Sequence, residues 1–147
     1  MITLVSETDQ LPDCIPNHRR YIFFSSKLIR IIQEFGFNDY QTFDIRVVDN
    51  SNKEIETNHK LVNILNVVSC IDRENSELQI DEDEEDEDLN IIDIRSLKLD
   101  DGNLVRQSIF RLGGFETLLL FREDIARMIV NANCTGLSFV EANGYVV

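Results

Sequence analysis

Residues 21–36 read YIFFSSKLIRIIQEFG, and this stretch decides the fold class because it contains both kinds of regular structure in a fixed order. The apolar run from Tyr21 to Phe24 is typical of a short buried strand. Ser25 and Ser26 before the next apolar residues, and Gly36 after them, are good helix caps. The residues that recur at helical spacing between these caps are Leu28, Ile29, Ile31, Ile32 and Phe35. The stretch therefore predicts a strand followed by a capped helix.

A second strand is predicted directly after this helix. In the segment Phe43 to Val48, apolar Phe43, Ile45 and Val47 alternate with the residues between them, which is typical of a half-buried strand. The turn residues Asp49 to Asn52 end it. The N-terminal part of the chain is thus predicted to form a strand, a helix and a strand.

The C-terminal part repeats this arrangement. An apolar run at Thr117 to Phe121 precedes a predicted helix, and turn residues at Asn133 to Gly136 lead to a predicted strand at Leu137 to Val140. The apolar residues at helical spacing are Ile125, Met128, Ile129 and Ala132. The two strand-helix-strand units are related by duplication or are alike by chance, and the sequence leaves both open.

The middle of the chain is predicted to be mainly strand. Leu61 to Ile71 fits helical and strand periodicity about equally, but its β-branched residues and its two asparagines favour a strand. Further strands are predicted at Ile91 to Leu99, before the turn Asp100 to Asn103, and at Ser108 to Leu112. Helices at both ends of a run of strands predict an α+β fold with a mainly antiparallel central sheet.

Length and composition predict a single domain, residues 1–147. With 147 residues and 43% hydrophobic content, the chain can bury one sizeable core but is short for two domains of usual size. No apolar stretch has the roughly 20 residues of a membrane span, and residues 1–10 do not resemble a signal peptide, so we expect a cytoplasmic protein. Cys14, Cys70 and Cys134 have none of the spacings of disulfide frameworks or zinc sites, so we expect reduced, buried thiols.

The most unusual segment is DEDEEDED, Asp81 to Asp88, which we call the acid run. It holds eight of the 27 acidic residues of a chain with a net charge of -13. Mutual repulsion favours a solvated loop, and the missing glycine argues against a specific calcium site. Such charge repels nucleic acids and anionic membranes, which leaves a basic protein as the expected partner. The alternative is a solvated loop without a specific partner.

Residues suited to catalysis are few, so we do not expect an enzyme or a cofactor. His18 lies beside two arginines and His59 beside Lys60, and neither belongs to a recognisable nucleophile motif. Both histidines are expected at the surface. Gly113 and Gly114 lack the further glycines and the lysine of a phosphate-binding loop, and they predict a turn between two strands.

Several segments of the chain share an order and spacing with a known family. These segments are Leu61 to Val68 with Asp72 and Ser76, Ile109 to Leu112, and Thr135 to Phe139 after the apolar strand and helix. Together they resemble the bacterial polymorphic-toxin immunity proteins called immunity protein 11, over about Tyr21 to Val140. The resemblance implies a small cytoplasmic α+β protein that binds the active domain of a toxin and protects the producing cell. It carries over no catalytic residues, and the acid run is denser than the family leads us to expect.

The leading hypothesis is an immunity protein that masks the basic surface of a cognate toxin's C-terminal domain, with a nuclease as the expected toxin. The alternatives are an acidic chaperone or adaptor for a basic cellular protein and, less favoured, a hydrolase. The candidate toxin-binding residues are Asp81, Glu82, Asp83, Glu84, Glu85, Asp86, Glu87, Asp88, Asp72, Glu74 and Glu77.

Overall fold

A computed structural model of the chain describes residues 2–8, 10–81 and 90–147. These residues form two α-helices and ten strands in mixed and antiparallel sheets, so the predicted α+β class is confirmed. The chain divides into two compact units. The first unit is Met1–Ile64 with Glu123–Ser138, and the second unit is Leu65–Arg122 with Phe139–Val147. A single domain stays a prediction.

The first unit contains a five-stranded sheet and both helices. Its elements are β1 (Ile2–Val5), β2 (Phe23–Phe24), α1 (Ser26–Glu34), β3 (Tyr40–Val48), β4 (Glu54–Ile55), β5 (Lys60–Ile64) and α2 (Glu123–Asn131). The strand order is β1-β3-β5-β2, and β4 pairs with β3. Only the β1–β3 pair of this sheet is parallel. The N-terminal strand, helix and strand are therefore present as predicted.

Helix α1 of the first unit begins and ends at capping residues. The Oγ of Ser25 accepts a hydrogen bond from the backbone N–H of Leu28, which satisfies one of the donors that the first turn of α1 leaves unpaired. Gly36 has a φ of 91°, the left-handed conformation that follows many helices. The predicted caps of α1 are thus confirmed. The buried helix residues are Leu28, Ile31 and Ile32 in α1 and Ile125 and Ile129 in α2.

The second unit contains two small sheets. Its strands are β6 (Val67–Val68), β7 (Glu77–Ile80), β8 (Ile91–Ser96), β9 (Ile109–Leu112) and β10 (Phe115–Phe121), and a 3₁₀ turn forms at Asp101–Asn103. One sheet has the order β10-β9-β6, and the other is the pair β7-β8. Gly113 and Gly114 connect β9 to β10, which confirms the predicted turn. The buried core of this unit consists of Cys70, Ile91, Ile94, Leu97, Leu99, Phe110 and Leu112.

The strand prediction is confirmed for the middle of the chain and is wrong near its end. The strand preference for Leu61 to Ile71 is confirmed by β5 and β6. The strand predicted at Leu137 to Val140 is wrong, because these residues have no regular secondary structure. The ring of Phe139 instead packs edge-on against that of Phe121, with 5.2 Å between the ring centroids. Its apolar character therefore reflects ring packing and not strand pairing.

A cluster of hydrogen bonds around the carboxylate of Asp13 connects distant parts of the first unit. Oδ1 accepts from Ser25 Oγ at 2.7 Å, and Oδ2 accepts from the backbone N–H of Thr135 at 3.0 Å. Burial alone would raise the pKa of Asp13, but the hydrogen bonds from Ser25 and Thr135 and the nearby Lys27 ammonium together lower it. Ser25 caps α1 and Thr135 follows α2, so one carboxylate fixes the N-terminal segment against the ends of both helices.

We predict that Asp13→Ala lowers the free energy of unfolding by about 2 kcal/mol or more at neutral pH, because it removes several hydrogen bonds to a charged acceptor. The folded-state pKa of Asp13 lies below its unfolded value, so this stabilisation is present above the unfolded pKa and is lost as the pH falls through the folded pKa. Urea unfolding should therefore show a difference between wild type and variant that shrinks in acid. Asp39→Ala, at an exposed position, is the control, and equal losses in both variants would contradict the prediction.

We also predict that Gly136→Ala destabilises the chain more than Gly36→Ala. Both glycines have positive φ, so both substitutions strain the backbone by about 1 kcal/mol. An added Cβ at Gly136 would lie 2.0 Å from the carbonyl oxygen of Cys14, whereas at Gly36 it would meet no atom within 4 Å. Thermal unfolding of the two variants measures the difference. Equal unfolding temperatures would show that the close approach of Gly136 to Cys14 adds no cost beyond the strain of the positive φ.

Candidate functional site

The acid run lies in the connection of an antiparallel hairpin. Strands β7 and β8 pair from Glu77 with Ser96 to Ile80 with Ile91. Directly beyond the last pair, the backbone N–H of Asp81 donates to the carbonyl oxygen of Asn90 at 3.0 Å. The two ends of the connection are therefore held together. Of the acid run, Asp81 is described, and residues 82–88 lie outside the described residues.

Two β-bulges shape this β7–β8 hairpin. The pairing passes from Ser96 to Ile94 and from Asp93 to Ile91, so Arg95 and Ile92 are the extra residues on β8. Both are exposed, and the side chain of Ile92 keeps 53% of its accessible surface. The buried residues of this segment are Ile91, Ile94 and Leu97. Successive side chains of a regular strand point to opposite faces, so a regular strand buries every second residue and not every third one. The two bulges make the observed spacing of buried residues possible.

Asp72, one of the candidate residues, has a structural role in the turn before β7. Its Oδ1 accepts from the backbone N–H groups of Glu74 and Asn75, and its Oδ2 accepts from Asn75 Nδ2 at 2.7 Å. The side-chain hydrogen bond from Asn75 is the main reason that the pKa of Asp72 is lowered, and Lys98 contributes to the same direction. Asp72 is therefore firmly ionised while it stabilises a turn.

The candidate toxin-binding residues lie in two groups, one on each side of β7. Asp72 and Glu74 precede β7, and the acid run follows it. The four residues of β7 span about 14 Å at roughly 3.4 Å per residue, which separates the groups. Glu77 is exposed at the first position of the strand between them. The candidate residues that the structure describes are therefore spread along the hairpin. The same segment also carries three exposed cations: Arg73, Arg95 and Lys98.

The first unit contains a cavity of about 710 Å³. Its lining includes β1, the residues that follow it, and His18, Arg19 and Tyr21. The hydroxyl of Ser6, another lining residue, donates to the carbonyl oxygen of Thr8 at 2.7 Å within its own turn. Among the described residues no hydrogen bond joins Ser6 to His18, so the lining does not provide the paired serine and histidine of a nucleophilic site.

His59 is buried, and the expectation of a surface histidine was wrong. Its side chain is 8% exposed, and its Nε2 lies 2.8 Å from the carbonyl oxygen of Pro12. Because a carbonyl oxygen only accepts, Nε2 carries a proton, and Nδ1 forms a second hydrogen bond with the hydroxyl of Thr57. The ring thus connects residue 59 to a segment 47 positions away, which is a structural role.

The cysteines are free thiols, but only Cys70 is buried as predicted, because Cys14 and Cys134 are half-buried. Burial raises the pKa of Cys14 to about 11, and burial with a smaller effect of Asp100 does the same for Cys70. These two thiols are therefore protonated at neutral pH and are poor nucleophiles and metal ligands. In the part of the chain that the structure describes, no three His, Cys, Asp or Glu residues are grouped to hold a metal ion. The same residues include no helix with the length and apolar character to cross a membrane.

Comparison with known proteins supplies the functional context. The model of an immunity protein family, Imm11, matches residues 1–144 of the 147-residue chain. No curated protein matches the chain. The matched range includes the first unit, the second unit except its last three residues, and the β7–β8 hairpin.

Replacing Asp72 in two ways separates its turn from its charge. We predict that Asp72→Asn keeps most of the thermal stability, because an amide oxygen still accepts from the backbone N–H groups of Glu74 and Asn75, whereas Asp72→Ala lowers the melting temperature. Glu74→Ala, at an exposed neighbouring position, is the control. An Asn variant as unstable as the Ala variant would show that the charge itself stabilises the turn.

Proposed function

The chain belongs to the Imm11 immunity protein family, and from its membership we propose that it neutralises a cognate toxin by covering the toxin's basic substrate-binding surface. The partner of an immunity protein is a toxin, and in this proposal the bound part is the toxin's C-terminal domain. Inhibition is stoichiometric, takes place in the cytoplasm of the producing cell and involves no catalysis by the immunity protein. The observation that carries the proposal is the acid run in the connection of the β7–β8 hairpin.

A nuclease is the toxin class that best fits this charge. Nucleases hold the phosphates of their substrate with cationic side chains, so an acidic protein surface competes for the same groups. In an extended chain, residues recur about every 3.4 Å, which is close to the axial spacing of phosphates along one DNA strand. A run of eight carboxylates therefore resembles the charge of a short nucleic-acid strand more than an average protein surface does.

The rest of the hairpin supports the same role. Asp81 is held at the end of β7 by its backbone hydrogen bond to Asn90, so the acid run begins at the paired end of the hairpin. Glu77 and the firmly ionised Asp72 extend the negative charge along the hairpin. Complementary charge increases the rate of association and selects against wrong partners, and added salt weakens both effects. The net charge of -13 adds a long-range attraction toward any cationic toxin.

We predict that replacing residues 81–88 with serine and glycine lowers the affinity for the cognate toxin domain and makes it less dependent on salt. The association rate at low salt should fall about tenfold or more, because steering by opposite charge is lost. Biolayer interferometry over a salt series gives the rates. Growth of cells that co-express the toxin domain reports whether the wild type protects them and whether the variant protects less.

A matched pair of variants controls for net charge. One replaces Asp83, Glu84, Glu85 and Asp86 of the acid run with serine, and the other replaces the exposed residues Glu7, Glu34, Asp39 and Glu56 of the first unit. Both remove four negative charges, so a general charge effect would act equally on them. The acid run is not part of the interface if neither four-residue variant, nor the replacement of residues 81–88, changes the affinity or its salt dependence.

A further inference from the structure

The β7–β8 hairpin exposes an isoleucine beside its acidic connection, and we propose that this residue, Ile92, is the apolar anchor of the toxin interface. The partner it fits is a cationic protein surface with an apolar pocket. This inference rests on the proposed function and adds the residue that holds the complex together after charge has brought the partners into contact.

The bulge at Ile92 is the first argument. Ile91 is 4% exposed and Ile94 is 0% exposed, while Ile92 between them is 53% exposed. The register places Asp93 opposite Gln79 and Ile91 opposite Ile80, so Ile92 has no counterpart on β7. Bulges commonly re-aim a side chain at a binding or active site. Here the bulge turns a large β-branched side chain outward from a strand whose neighbours form the core of the second unit.

The charges around Ile92 are the second argument. Asp93 follows Ile92 directly, and Asp81 lies at the adjoining end of β7, while the exposed cation Arg95 is three positions further along β8. The acid run ends four positions before Ile92 in the sequence. Binding energy in protein interfaces is concentrated in apolar anchors that a polar rim shields from water. A partner attracted by these carboxylates brings cationic groups to the rim and covers Ile92.

Protection of a sheet edge is the competing explanation for the bulges. In the two-stranded sheet β7 is an edge strand, whereas β8 also forms backbone hydrogen bonds with Val147 and Gly114. Bulges and charges at an edge hinder pairing with other chains. That explanation accounts for the bulges but gives the apolar side chain of Ile92 no role, because a polar residue at the same position would protect the edge better. The two explanations differ in what the removal of the side chain does to toxin binding.

The test compares Ile92→Ala with Val105→Ala, since Val105 is an 81% exposed apolar residue of the same unit outside the hairpin. The affinity of each variant for the cognate toxin domain is measured by biolayer interferometry at low and high salt. We expect Ile92→Ala to weaken binding about tenfold or more, mainly through faster dissociation, with an unchanged salt dependence. Ile92→Val should retain most of the affinity, and Val105→Ala should match the wild type. Thermal unfolding of each variant monitors the fold, and Ile92→Thr, which keeps the β-branch, replaces the Ala variant if that one is unstable.

The possible results separate this inference from the proposed function. If Ile92→Ala and Ile92→Thr bind like the wild type while replacement of the acid run weakens binding, Ile92 is not an anchor and masking by charge still stands. If the Ile92 variants weaken binding but the acid-run variant does not, the anchor stands and masking by the acid run fails. A wild-type chain that does not bind the toxin domain overturns both.

Discussion

The spacing of three buried residues on and directly after β8 is the constraint that shapes the candidate binding hairpin. Ile91, Ile94 and Leu97 all belong to the core of the second unit, although the side chains of a strand alternate between its two faces. Two bulges resolve the conflict by inserting Ile92 and Arg95 as extra residues. Burial in the core thus determines which side chains of the hairpin point outward. The same pairing register fixes both the residues that stabilise the core and those that form the outer surface.

In the proposed mode of action, charge and apolar contact contribute to different steps. Carboxylates on the hairpin act over about 8–10 Å at physiological salt, so they mainly accelerate and orient the encounter. A desolvated apolar side chain acts only at contact and mainly slows dissociation. Asp72 shows that some of the charge is also structural, since its oxygens accept hydrogen bonds within the turn. A protein that only needs to block a surface requires both contributions but no reactive group.

Local sequence signals predicted the elements whose cause is local, and they failed where the cause is distant. The caps at Ser25 and Gly36 determine the ends of α1 through neighbouring backbone groups, so they could be recognised in the sequence. Strand β7 reads ELQI, which alternates polar and apolar residues over only four positions, too short a signal to stand out before the pairing with β8 is known. His59 is buried through the carbonyl group of Pro12, 47 positions away. The spacing of Ile91 and Ile94 was visible, but only the register shows that Ile92 is in a bulge.

The cluster around Asp13 has a consequence for biosynthesis. Its bonds to Thr135 span 122 positions of the chain, so they form only after Thr135 has left the ribosome. Contacts of such long range slow folding because a large loop must close before any stabilising energy is gained. The first unit therefore cannot complete its fold until its C-terminal segment, Glu123–Ser138, has been synthesised, so a chain shortened before this segment would lack the cluster around Asp13.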